Sequence, residues 1–257
     1  MSRQGFSRIS WVLVAAGIAL TAVHIDTATT EISDALYLAS TVFFALSLIT
    51  SAVVHRPDWS IWPVVLTVAI CSTAGQLVGN SLDSGDAMRA VSEGLFLATQ
   101  LAILAGLFLV VRRRGTHDPL SVLGDALIVA LGVWLSMWIS LLRPSLDLTG
   151  ETTTVTILRS MTMGASAIVV LLLAFLLFSD NVRTPAVTLL ATAIGLSLLG
   201  DLLYAIDTSG HVSIDQRFAY APYIASYFTA SAAFMHPTIR RLTEGRTNRM
   251  VHNLLGR

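Results

Sequence analysis

Asp201 is an acid set in an apolar run. The segment 200–210 reads GDLLYAIDTSG, and no other charged residue occurs between Arg183 and Asp201. An ionisable side chain inside a membrane span costs at least about 2.5–3.5 kcal/mol near the centre, so it faces the bundle interior and takes a partner. Arg159 falls about one turn inside the same end of a neighbouring apolar run, which makes an Asp201–Arg159 pair the first expectation. Three readings of it stay open. The pair sets helix register, or it forms an outward-facing ligand or proton site, or Asp201 simply reaches the headgroups. Tyr204 lies three residues after Asp201, on the same helix face. Gln76 takes the corresponding place in an earlier segment, GQLVGNSLDSG at 75–85. An amide there is suited to hydrogen bonds across helices. Glu93 and Gln100, seven apart, share a face. Glu93 is expected at the headgroups and Gln100 between helices.

A second group belongs to the opposite membrane face. His236 and Pro237 end the last apolar run, and Arg240 follows. Histidine titrates near physiological pH, and proline breaks or redirects a helix. Asp125 stands in the first turn of the fifth apolar run, where an acid suits the positive end of a helix. Either Asp125 contacts the basic exit around Arg240, or the two helix ends are capped independently.

No enzyme chemistry is encoded in a recognisable pattern. The chain has no Gly-rich phosphate loop, no G-x-S-x-G, no H-E-x-x-H and no Cys-x-x-Cys. Its one cysteine, Cys71, excludes an intrachain disulfide. Haem needs axial ligands, but His24 and His236 fall at opposite faces. An outer set of His24, Asp26, Glu31 and His211 follows no ligand spacing. No metal site, no cofactor and no catalytic residue is expected.

These residues must be positioned by helices in a bilayer. Of 257 residues, 54% are hydrophobic and 12% charged, with mean hydropathy +0.72. A soluble domain carries about 25% charged residues. The net charge of zero gives no reason to expect a nucleic-acid partner. Eight runs, at 9–25, 34–54, 60–80, 93–111, 122–142, 156–178, 184–206 and 218–236, have the length and polarity of spanning helices. Twelve of the sixteen arginines fall on one side of this arrangement, so the positive-inside rule puts both termini in the cytoplasm. The first run also has the make-up of a signal peptide, but an internal repeat of two four-helix units counts it as a span.

Segments 75–85 and 200–210 begin alike and end alike, about half a chain apart. Each is followed by an arginine, one more helix and an arginine cluster. The expected architecture is an all-α polytopic membrane bundle of about eight transmembrane helices. It would consist of two parallel four-helix repeats, 1–118 and 119–241, with a tail or linker at 242–257. G-x-x-x-G at Gly75 and Gly79 permits close helix packing.

One resemblance adds to this. The stretch from Gly200-Asp201-Leu202-Leu203-Tyr204 through Ala232-Ala233-Phe234-Met235-His236-Pro237-Thr238-Ile239-Arg240-Arg241-Leu242-Thr243-Glu244 resembles the N-terminal membrane region of actinobacterial signalling proteins. Those proteins carry cytoplasmic GGDEF and EAL domains that make and break cyclic di-GMP. Asp125-Ala126-Leu127-Ile128 is also similar. The chain contains no GGDEF or EAL sequence. The resemblance therefore implies a sensory or regulatory input module of the plasma membrane, not an enzyme. Asp201, Tyr204, Arg159 and Gln76 would form its pocket, and His236, Pro237, Arg240 and Asp125 its signal exit. The expected partners are the lipid bilayer, a GGDEF/EAL output domain or protein, and a second copy of the chain in a homodimer. The alternative is a small-solute transporter.

Overall fold

The computed structural model describes residues 3–26, 30–55, 61–80, 85–113, 119–139, 152–178, 184–208 and 212–240. Among them there is no strand. Eight long helices follow one another: α1 (Arg3–Asp26), α2 (Thr30–His55), α3 (Trp62–Gly79), α4 (Asp86–Arg113), α5 (Pro119–Met137), α6 (Thr153–Phe178), α7 (Pro185–Thr208) and α8 (Gln216–Met235). A 3₁₀ turn at Pro237–Ile239 ends the described chain. The tail 242–257 lies outside the described residues.

Six helices, α1 to α4, α6 and α7, are long and apolar enough to cross a membrane. The surface agrees, since large apolar side chains point outward on several of them. Ile18 is 66% and Ile70 63% exposed, and a bilayer, not water, is the solvent for such a surface. The two remaining helices differ for separate reasons. The apolar part of α5 among the described residues is short, Leu127–Ser136. The sequence of α8 is diluted by tyrosine, serine and threonine, and it contacts α1, α2 and α7. Its buried side are small residues, Ala219, Ala221, Ala232 and Ala233 among them.

Helices α2, α3, α4, α6, α7 and α8 close into a ring in that order, each packed on the next and α8 back on α2. Outside it, α1 packs on α8 and α5 on α6. Small residues set the closest approaches. A Cβ on Gly17 would fall 2.5 Å from Cβ of Phe228, so α1 sits directly on α8. A Cβ on Gly164 would meet the Trp134 ring at 3.1 Å, and Trp134 Nε1 donates to the Ser160 carbonyl at 2.9 Å, tying α5 to α6. Serine and threonine hydroxyls inside helices mostly donate back to the carbonyl four residues earlier, as Thr41 does to Tyr37 and Ser47 to Phe43. That satisfies them without water.

Candidate functional site

The ring encloses a cavity of about 700 Å³, lined by residues from all six of its helices and, among the described residues, by none from α1 or α5. It reaches from Arg89 and Tyr220 at one end to Ile239 and Arg240 at the other. Its polar groups collect near the first end, and helix geometry explains why. Glu93 is seven residues into α4, Arg159 six into α6 and Tyr223 seven into α8, while Asp201 is seven from the end of α7. At 1.5 Å per residue, all four lie about 10 Å below the same end of the bundle. Asp201, Tyr204, Arg159 and Gln76, the four residues expected to share a pocket, all line this cavity.

Their pairing differs from expectation. Arg159 Nε donates to Glu93 Oε1 at 3.0 Å, and the two side chains are only 11% and 18% exposed. The Arg159 guanidinium also sits 5.0 Å from the centre of the Tyr204 ring. Asp201 Oδ1 instead accepts from the Tyr223 hydroxyl at 2.6 Å. The Ser166 hydroxyl lies 3.4 Å from Asp201 Oδ2. It is closer to the Thr162 carbonyl, at 3.0 Å, and its one proton serves that bond better.

The physical reason lies in ring order. Adjacent α4 and α6 put Glu93 beside Arg159 at equal depth. Adjacent α7 and α8 put Tyr223 beside Asp201, and Gly200 makes room, since a Cβ there would fall 2.8 Å from the Tyr223 ring. Glu93, expected among headgroups, thus belongs to the cavity. Gln76, 6% exposed, bonds along its own helix to Asn80 Oδ1 at 2.9 Å, not across to another.

The tyrosines complete the site. The chain has five, and all five, Tyr37, Tyr204, Tyr220, Tyr223 and Tyr227, line the cavity. Tyr37 stacks on Tyr220 with centroids 5.2 Å apart and rings 3° from parallel. It also meets Tyr223 and Tyr227, each at 5.9 Å. The signal was present in the sequence. Tyr220, Tyr223 and Tyr227 follow the three-then-four spacing of one helix face, but aromatic residues near a membrane surface have an ordinary interfacial explanation.

At the far end, His236 leaves α8 in extended conformation, φ −73° and ψ 135°. Its Nδ1 accepts from the Thr238 backbone N–H at 3.2 Å and lies 2.8 Å from Thr238 Oγ1, which caps the 3₁₀ turn. Thr238 Oγ1 accepts in turn from the Ala186 N–H at 3.3 Å, at the start of α7. Pro237 occupies the first turn of the 3₁₀ helix, where a missing N–H costs nothing. Arg240 is exposed and Ile239 buried. Asp125 lies in α5, but its side chain is outside the described residues, as is any contact it makes with the exit. Among the described residues there is no group of three or more metal-ligating side chains. His24 is fully buried, 3.4 Å from the Ser33 hydroxyl. Glu31 and His211 lie outside the described side chains.

In comparisons with known proteins, the chain matches no family model, no curated protein and no solved structure. The chemistry must be argued from the cavity itself. Within the polar layer two carboxylates, Glu93 and Asp201, face one guanidinium, Arg159. Arg89 lies at the rim and is exposed. An ionised carboxylate has about four acceptor positions. Asp201 receives one close bond, from a neutral hydroxyl, and among the described residues no basic group pairs with it.

Proposed function

We propose that the protein is a membrane-embedded input module: the cavity binds a signal, and α8 carries the change to the cytoplasmic side. One observation supports this above others. The same helix holds Tyr223, which grips Asp201, and ends at His236-Pro237, whose turn is hydrogen-bonded to the start of α7. A shift of α8 driven at Tyr223 would be carried toward the exit by the helix from Tyr223 to Met235, which lies beyond the internal Pro222. The signal shifts a balance between two arrangements only as far as it prefers one of them. On the sequence resemblance, the output is a GGDEF or EAL domain and its currency cyclic di-GMP.

The finer architecture belongs to the same reading. All eight helices span the plasma membrane with both termini in the cytoplasm, and the chain is a parallel repeat. The ring supports the repeat. Neighbour pairs α2–α3, α3–α4 and α4–α6 in one half correspond to α6–α7, α7–α8 and α8–α2 in the other. Gly75 abuts the Phe96 ring, with a Cβ 3.2 Å away, as Gly200 abuts Tyr223. The outer helices break the pattern, since α1 packs on α8 whereas α5 packs on α6.

The decisive test fuses the chain to a GGDEF cyclase domain and measures cyclic di-GMP in cells. Tyr223→Phe and Asp201→Asn should each change output at equal protein level. Unchanged output from both overturns the reading. A transporter is the second reading, favoured by the reach of the cavity from Arg89 to Arg240. It requires substrate counterflow in vesicles containing the purified protein.

A further inference from the structure

The cavity is divided by chemistry along its length. Its outer part holds the five tyrosines, Asp201 and the Glu93–Arg159 pair. Its inner part is walled by Leu48, Val65, Leu107, Leu173, Leu190 and Ile194. Its volume, about 700 Å³, falls within the range of about 300–1,000 Å³ usual for small-molecule sites.

The outer part is selective in sign. Arg159 is already neutralised by Glu93 at 3.0 Å. Below the exposed Arg89 at the rim, that leaves the Asp201 carboxylate as the charge in the polar layer without a counterion among the described residues, partly exposed and lining the cavity. Tyrosine ring faces carry negative potential and attract cations, quaternary ammonium groups above all. The site already demonstrates this affinity, with the Arg159 guanidinium over the Tyr204 ring. Past the exposed rim, where Arg89 stands, an anion would meet two carboxylates and several ring faces against Arg159, which is already engaged. The inner wall is apolar over the stretch from Val65 to Leu107 and would accept an apolar chain, with Ser51, His55 and Arg240 only at its far end.

We propose that the cavity binds an amphiphilic organic cation, an amine or quaternary ammonium bearing an alkyl or aryl tail. Its head lies against Asp201 among the tyrosines and its tail runs along the inner wall toward Ile239. This deepens the reading of the same cavity as the input site and rests on it only for the consequence of binding, not for binding itself. Such a ligand has two sources: a free hydrophobic amine, or a phospholipid with an ammonium headgroup.

The experiment measures equilibrium binding of radiolabelled decyltrimethylammonium to the purified full chain in uncharged maltoside micelles, with empty micelles subtracted. Saturable binding at one per chain is expected, with no competition from decyl sulfate. Asp201→Asn, which keeps the side-chain shape, should weaken binding at least tenfold. Tyr204→Leu should weaken it severalfold, and Tyr223→Phe, which keeps the ring, should weaken it less than Asp201→Asn. Native mass spectrometry of protein taken from membranes distinguishes the sources. A co-purifying ammonium-headed phospholipid displaced by the probe assigns the site to lipid, and its absence assigns it to free amphiphiles. Wild-type affinity in Asp201→Asn, or equal competition by decyl sulfate, overturns the proposal. Asp201→Asn is judged only where its melting temperature matches wild type. Otherwise Tyr204→Leu and the sulfate competition decide. Specific binding without any change in cyclic di-GMP from the fusion leaves this assignment standing and overturns the input reading.

Discussion

Asp201 and Arg159 lie at one depth and still choose different partners. Each takes the neighbour that its own helix packs against, Tyr223 for Asp201 and Glu93 for Arg159. A double-mutant cycle separates these pairings. Glu93→Gln with Arg159→Gln should show a coupling of about 1 kcal/mol or more in thermal unfolding, as residues in direct contact do. Asp201→Asn with Arg159→Gln should come much closer to additive. Tyr223→Phe removes a hydrogen bond to an acid and should cost about 1.5–3 kcal/mol by the same measurement. At the start of α8, Arg217 donates from its backbone N–H at 2.9 Å and from Nε at 3.0 Å to Asp215 Oδ1, which caps the helix. Those hydrogen bonds from Arg217 lower the Asp215 pKa to about 2. An unfolded aspartate titrates near 3.9, so the contribution is complete above that pH and is lost as pH falls toward 2. The gap in melting temperature between wild type and Asp215→Ala should stay constant from pH 8 to 5 and narrow below about pH 4.

Helix α8 decides the site because of what it lacks. Alanine, serine and glycine-facing contacts let α1, α2 and α7 come close, and its tyrosines are thereby turned into the ring. Gly200 is the matching concession on α7. Gly200→Ala would drive a Cβ to 2.8 Å from the Tyr223 ring. That ring meets Tyr37 at 5.9 Å on one side, so it must turn away from Asp201 toward the cavity it lines. Overpacking of this kind costs about 1–3 kcal/mol. The expected outcome is a lower melting temperature together with loss of the Tyr223–Asp201 bond. A Gly200→Ala protein should therefore gain no further instability from Tyr223→Phe. If the two effects add, the methyl added at Gly200 does not displace the Tyr223 ring.

At the scale of the molecule, the six-helix ring surrounds the cavity, and α1 and α5 pack outside it, with none of their described residues in its lining. The proposed orientation has a direct check, since Cys71 is the single native cysteine. In a Cys71→Ser background, Asp215→Cys should react with a membrane-impermeant maleimide on intact cells. Arg112→Cys should react only after the membrane is opened. The reverse pattern overturns the assignment of both termini to the cytoplasm.

Composition and the period of the apolar runs were sufficient to establish a helical membrane protein, because a bilayer demands long uninterrupted apolar helices whatever they pack against. They also singled out Asp201, Tyr204, Arg159 and Gln76, all of which line the cavity, because an ionisable or polar side chain in such a helix has nowhere to go but inward. Partner choice was not encoded at that level. Depth along each helix can be counted from the sequence, but which helices are neighbours cannot, and that alone sends Arg159 to Glu93 and leaves Asp201 to Tyr223. The same limit hid the tyrosine cluster. Three tyrosines on one face of α8 read equally well as an interfacial belt, until ring closure turned that face toward Tyr37 and the cavity.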